Sequence, residues 1–250
     1  MGLAATILLL PILQTGAIAA IDSNPCFTGV QQTASITSID NRRRTFKIKG
    51  SRQNFALAGL EISTPTDALK VGTDISIFAS QEAKDRYGIV SVQAFLKTPQ
   101  NWIQGDMLQK GTALLNGSSK SLSRKCLATM QNAELAAINT KAGLWAQKDA
   151  IFKAGQLDQL SEKTGFFTVI EGRVISVGNR KKRLYLNFGQ NWSQDFTLSV
   201  VKKGKGAFKG SLDLLAGLKG KTIRVRGVLE QRQGPLIRLF DEAQIELIEN

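Results

Sequence analysis

Histidine is absent from this chain of 250 residues. Its absence excludes every mechanism that uses an imidazole as base or ligand, including His-containing triads, helical zinc-protease motifs and His-based nuclease sites. Cysteine is nearly absent as well: Cys26 and Cys126 are the only two, too few for a four-thiolate zinc site. Acidic side chains are scarce beside basic ones, 20 Asp and Glu against 33 Lys and Arg, giving a formal net charge of +13. With no histidine to change that number near neutral pH, the expected partner is a polyanion, and nucleic acid leads. Any hydrolytic chemistry must rest on carboxylates and a hard metal ion. No low-complexity tract is present, and 42% apolar residues suffice to bury one large core or two modest ones.

The first twenty residues carry no charged side chain. They contain an apolar run from Ile7 to Leu13, broken by Pro11, and end in Ala17-Ile18-Ala19-Ala20. Residues 1–20 therefore read as an export signal, which implies a periplasmic or secreted protein. The missing positive n-region leaves two alternatives, a lost upstream start or a segment retained as a membrane anchor. The run is short for a spanning helix and is interrupted by Pro11, Gln14 and Gly16. Two readings of the cysteines follow. In an oxidising periplasm Cys26 and Cys126 would pair and close a loop of about 100 residues, for which chain entropy gives on the order of 4–5 kcal/mol. Otherwise they are two unpaired thiols, one of them in the core.

Beyond the signal, the chain divides into a strand-rich stretch, a helical stretch and a second strand-rich stretch. Residues 32–40, 45–50, 54–62, 73–79 and 89–96 are alternating or β-branched segments bounded by turn residues, enough for a small five-stranded barrel. Residues 102–110 read as a helix, and Leu122, Cys126, Met130, Ala133 and Ala137 share one face of another, ended near Gly143. Residues 147–165 turn polar and helix-prone and are expected to form a helical linker. Residues 166–177, 183–188 and 195–201, a helix near 207–218, then 221–231 and 235–240, follow the order of an OB-fold. The prediction is a β-rich α+β protein, with a barrel and flanking helices at 31–146 and an OB-like domain at 166–250. The two strand-rich halves are candidates for two barrels of the same kind, although their sequences show no repeat.

The run Phe55-Ala56-Leu57-Ala58-Gly59-Leu60-Glu61, then Asp85-Arg86-Tyr87-Gly88, Trp102-Ile103-Gln104 with Met107-Leu108 and Gly111, and Gly143-Leu144-Trp145 resemble the thermonuclease, or staphylococcal-nuclease-like, family over about residues 31–146. Glu171-Gly172-Arg173-Val174 and Tyr185-Leu186-Asn187-Phe188-Gly189 look like the extension on exported bacterial members. The resemblance implies an OB-type barrel with flanking helices. It also implies calcium held on carboxylates, with two arginines and a glutamate completing phosphodiester hydrolysis. Residue by residue, that set is missing. Ala56 and Ile89 stand at the arginine positions, Thr64 at the glutamate position and Glu61 at an aspartate position. In the upstream turn Asp40 matches the first acid and Arg42 replaces the second. Asp40 and Glu61 remain as metal-ligand candidates, their alternative reading being solvated strand-end or turn acids. Calcium is expected only if residual nuclease activity exists, and otherwise no cofactor.

The capacity to attract phosphate survives. Arg42, Arg43 and Arg44 with Lys47 form a basic run, and Arg86 stands beside Tyr87. In the C-terminal domain Arg180, Lys181, Lys182 and Arg183 fill the first turn, with Tyr185 on the next strand, Trp192 in the next loop and Lys202, Lys203, Lys205 and Lys209 after it. Cations around exposed rings are how such barrels hold single strands, although charge runs in turns are also simply solvated. Phe55, Phe95, Trp102, Trp145, Phe166 and Phe188 fall on the apolar phase of their elements and are expected in the core. Three functions stand open. The first is a catalytically inactive thermonuclease-like protein binding nucleic acid or another polyanion in the periplasm. The second is a weak calcium-dependent nuclease using Asp40, Glu61 and Arg86. The third is an envelope-associated scaffold whose positive face meets an anionic surface.

Overall fold

The computed structural model describes residues 24–62, 67–79, 84–97, 100–118, 122–191 and 193–248; the expected export signal, Thr64 and Trp192 lie outside them. No helix among the described residues is long and apolar enough to cross a membrane.

The first unit contains β1 (Val30–Asp40), β2 (Thr45–Ile48), β3 (Phe55–Leu57), β4 (Leu60–Glu61), β5 (Asp74–Ala79), β6 (Val90–Leu96), β7 (Asn101–Trp102), α1 (Ile103–Gln109), β8 (Leu114–Leu115) and α2 (Arg124–Thr140). Strands run in the order β3-β2-β1-β5-β6, and a parallel β3–β6 pairing closes them into a five-stranded barrel. Closure depends on β1 serving two partners: residues 30–35 pair with β5, and from Ile36 onward the strand pairs with β2 across an irregularity between Ile36 and Ser38. A bulge of this kind bends a strand and increases its twist. Alternation fills the interior. In β2, Phe46 and Ile48 are buried while Lys47 is exposed, and Ile36, Phe55, Ile75, Ile77 and Val92 face them.

Residues 54–62, expected as one strand, break into β3 and β4. Gly59 adopts φ +79° there, and a Cβ on it would lie 2.8 Å from Met130 Cε, so the chain turns where only glycine fits beneath α2. Ser123 caps α2 by accepting from the Cys126 amide, and Cys126 is disulfide-bonded to Cys26.

The second unit adds β9 (Phe152–Lys153), α3 (Leu157–Glu162), β10 (Phe167–Arg173), β11 (Ser176–Asn179), β12 (Arg183–Asn187), β13 (Thr197–Val201), α4 (Leu212–Ala216), β14 (Thr222–Gln231), β15 (Pro235–Leu239) and β16 (Ile245–Leu247). They form a curled sheet in the order β11-β12-β13-β15-β14-β10-β9, with β16 on β14. β10 and β11 are one run that changes partner at a corner: the Val174 amide donates to the Lys221 carbonyl on the β14 side, the Ile175 amide to the Asn187 carbonyl at the end of β12. Strand order and the parallel β13–β15 pair thus repeat the plan of the first barrel, although no sequence repeat relates the two halves.

Three expectations are corrected. Residues 147–165 are no helical linker: β9 pairs in parallel with β10, only Leu157–Glu162 is helical, and Phe152, Ala154 and Leu160 belong to the second core. The apolar residues among the polar ones bury themselves in the sheet that follows. The helix near 207–218 shrinks to α4, because Gly204, Gly206 and Gly210 take positive φ before it and Ser211 caps it. Phe166 is 65% exposed, since it precedes β10 and is held through its backbone, the amide donating to the Lys163 carbonyl and the carbonyl accepting from the Leu229 amide. Phe55, Phe95 and Trp145 are buried as expected, while Trp102 and Phe188 pack partly buried against the two cores.

Candidate nucleic-acid interface

In the first barrel the triple-arginine turn joins β1 to β2. The Arg43 amide donates to Asp40 Oδ1 at 3.0 Å, and Arg44, at φ 55°, swings its guanidinium across to Glu61 with Nη1 2.6 Å from Oε1. Both metal-ligand candidates therefore accept from arginines, or their backbone, in one turn. Among the described residues no group of three His, Cys, Asp or Glu side chains converges to hold a metal. Arg42, Arg43 and Lys47 remain exposed, with Arg43 and Lys47 on the rim of a polar hollow of about 510 Å³ shared with Ser38, Asp40 and Asn54.

The positions where the resemblance implies arginines are occupied by unreactive groups. Ala56 is half-buried on β3 in register with Ser91 of β6, and Ile89 lies in the turn before β6, its amide donating to Asp85 Oδ1. That turn presents Arg86 4.7 Å from the centre of the Tyr87 ring, which is 72% exposed. The pair makes a cation–π contact at the surface.

In the second unit the charge is concentrated. Residues 176–209 carry eight basic side chains against one acidic, whereas the rest of 166–250 carries seven of each. The excess lies in the β11–β12 turn, at Arg183 on β12 and in the loop after β13. Arg180, Lys181 and Lys182 are exposed in the β11–β12 turn, as are Lys203, Lys205 and Lys209 after β13. Lys202 ties the two stretches together, its Nζ donating to Asn179 Oδ1 and the Arg180 carbonyl. Leu184 and Leu186 point into the core at 1% and 0% exposure, so alternation turns Tyr185 outward, where it is half-buried. Cross-strand register sets Gly178, Tyr185, Ser199 and Arg238 in one row. Arg183 donates to Ser199 Oγ at 3.1 Å, and Arg238 pairs with Glu230 at 2.8 Å.

A buried ionic network, which pattern reading of the sequence passed over, joins the two units. Arg226 on β14 is fully buried; its Nη1 lies 2.6 Å from Glu134 Oε2 on α2 and 3.0 Å from the Leu115 carbonyl, and its Nη2 meets Glu246. Arg224 binds Glu171 and Glu246, and Lys153 closes the chain 2.7 Å from Glu171. Burial pushes the Glu134 carboxyl above its ordinary value, and the Glu246 carboxylate adds to that, against Arg226 and the Leu115 amide. Burial would raise Glu171 too, but hydrogen bonds from Lys153 and Arg224 hold it below the ordinary range. Two signals in the chain pointed here: arginines at alternate positions of an otherwise apolar strand, and Glu134 four residues after Met130 on the apolar face of α2. No protein family matches this chain, and no curated protein matches it either.

Proposed function

We propose that the protein is a catalytically inactive, thermonuclease-like barrel protein that binds nucleic acid or a similar polyanion, exported to an oxidising compartment. The observation that carries this reading is the seating of the Arg44 guanidinium on Glu61: a side-chain cation stands where a metal ion would need that carboxylate. Ala56 and Ile89 offer no donor to a phosphoryl oxygen, and losing even one preorganised donor typically costs about 100- to 1000-fold in rate. Two absent guanidiniums also remove the bidentate clamp that only arginine supplies. What remains is a set of exposed cations in both units, which lowers the energy of a phosphate backbone without cleaving it. The Cys26–Cys126 disulfide supports an oxidising compartment.

The test is direct. Purified protein incubated with DNA and calcium should leave the substrate intact while retarding it on a gel, and the association constant should fall linearly with salt on a log-log plot. Digestion that a chelator abolishes would overturn the reading in favour of a nuclease. Retention on anionic vesicles with no affinity for DNA would favour an envelope scaffold.

A further inference from the structure

Between the two units runs a groove of about 690 Å³, lined from the first by Asn116–Ser118 and from the second by Phe167, Val228, Phe240, Lys209 and Arg238. Its apolar lining is left open to water: Val228 is 52% and Phe240 50% exposed, and neither belongs to a hydrophobic core. A contiguous exposed apolar surface rimmed by polar residues is one signature of a ligand-binding groove. Lys209, exposed, stands at its edge and closes the basic stretch of residues 176–209.

The groove is continuous with the basic sheet face. Arg238 lines it and also shares a cross-strand row with Ser199 and Tyr185, placing Tyr185 roughly 10 Å away, two strand spacings. Phe240 follows Arg238 by two residues. An extended path thus leads from the cationic turn Arg180–Lys182, over Tyr185 flanked by Arg183, past Arg238 and onto Phe240 and Phe167. Arg238 is already neutralised by Glu230, so attraction along the path comes from the exposed lysines and the turn, and the rings supply contact without charge. A polyanion recognised by charge alone has no use for the rings. A single-stranded nucleic acid uses both, because charge follows the backbone while unpaired bases stack. A duplex keeps its bases stacked on each other and offers nothing to Tyr185 or Phe240.

We infer that the interdomain groove and the outer face of β12–β13 form one binding track for single-stranded nucleic acid, with Tyr185 and Phe240 as base-stacking platforms. This rests on the nucleic-acid reading above and adds to it the strandedness of the ligand and the place where bases bind.

The experiment measures fluorescence anisotropy of a labelled oligothymidylate over a salt series, with duplex DNA and heparin as competitors. The proteins are wild type, Phe240→Ala, Tyr185→Ala, Tyr185→Phe and the triple charge reversal Arg180→Glu/Lys181→Glu/Lys182→Glu. Wild type should prefer the single strand. Phe240→Ala and Tyr185→Ala should each weaken it about 5- to 100-fold with the salt slope unchanged, Tyr185→Phe should bind nearly as wild type, and the charge reversal should flatten the slope. Unaltered melting curves establish that the variants are folded. If both alanine variants bind like wild type while the charge reversal does not, the stacking track is refuted and polyanion binding stands. Equal competition by heparin or duplex refutes it likewise. If wild type binds neither the oligonucleotide nor heparin, the parent reading falls with it.

Discussion

Arg44 and Lys141 are the described residues other than glycine that adopt positive φ, at 55° and 52°. A left-handed conformation costs an L-residue roughly 1–2 kcal/mol, and the two positions recover it differently. Arg44 is turned so that its guanidinium meets Glu61, with side chains 46% and 25% exposed, a pair worth about 1 kcal/mol at most in such surroundings. Lys141 ends α2 with its amide on the Ala137 and Ile138 carbonyls, a place glycine fills without strain. Lys141→Gly should therefore stabilise the fold by about 1 kcal/mol, whereas Arg44→Gly should come out near neutral because the ion pair is lost. Urea midpoints of the two variants decide it; equal gains would mean that the Arg44–Glu61 pair contributes nothing. Neither conformation was legible in the sequence. The turn itself was, since Asp40-Asn41 follows a β-branched run, but which arginine would fold back is decided by the position of β4.

At the scale of elements, β9, β10, β14 and β16 are laced by the chain Lys153–Glu171–Arg224–Glu246. Glu171 is the group whose protonation loosens it. Its carboxyl is held below the ordinary 4.5 in the folded protein, so its contribution is fully present above that value and is lost as pH falls through the folded one. Glu134 works in the opposite sense, because its raised value makes ionisation unfavourable in the folded state. Glu171→Gln should destabilise the protein at neutral pH, and the gap from wild type should close as pH falls below about 4.5. Denaturant titrations across that range check the sign; a gap that widens in acid would refute it. The strands themselves were largely readable from alternation. Their interruptions were not: the corner at Val174–Ile175 arises where a run changes partner to curl its sheet, and the turn at Gly59 where the chain leaves the barrel to pair separately with β8.

For the whole molecule, Arg226 acts as a bolt between the barrel and the curled sheet, in register with Val169, which forms a small core with Ala137 and Trp145. Removing one partner of a buried ion pair leaves an uncompensated charge, at a cost of about 3–5 kcal/mol. Arg226→Ala should lose that much in a denaturant melt, because Glu134 would stay buried without its counter-ion. Arg226→Met with Glu134→Leu should recover a good part of it, since Glu246 keeps Arg224. A double variant as unstable as the single one would show that packing, not charge, holds the joint.

The amino-acid sequence by itself determined the charge, the exclusion of imidazole chemistry, two β-rich halves and the alternation that sets which side chains enter each core. These follow from local rules: composition, and the period of two along a strand. Only the tertiary structure decided where each strand run changes partner, that Arg44 takes Glu61, that residues 147–165 join the second core, and that Phe240 and Phe167 line an open groove beside the basic loops. Each of these depends on contacts between residues distant in the chain, where register and packing geometry, not neighbouring residues, choose the partner.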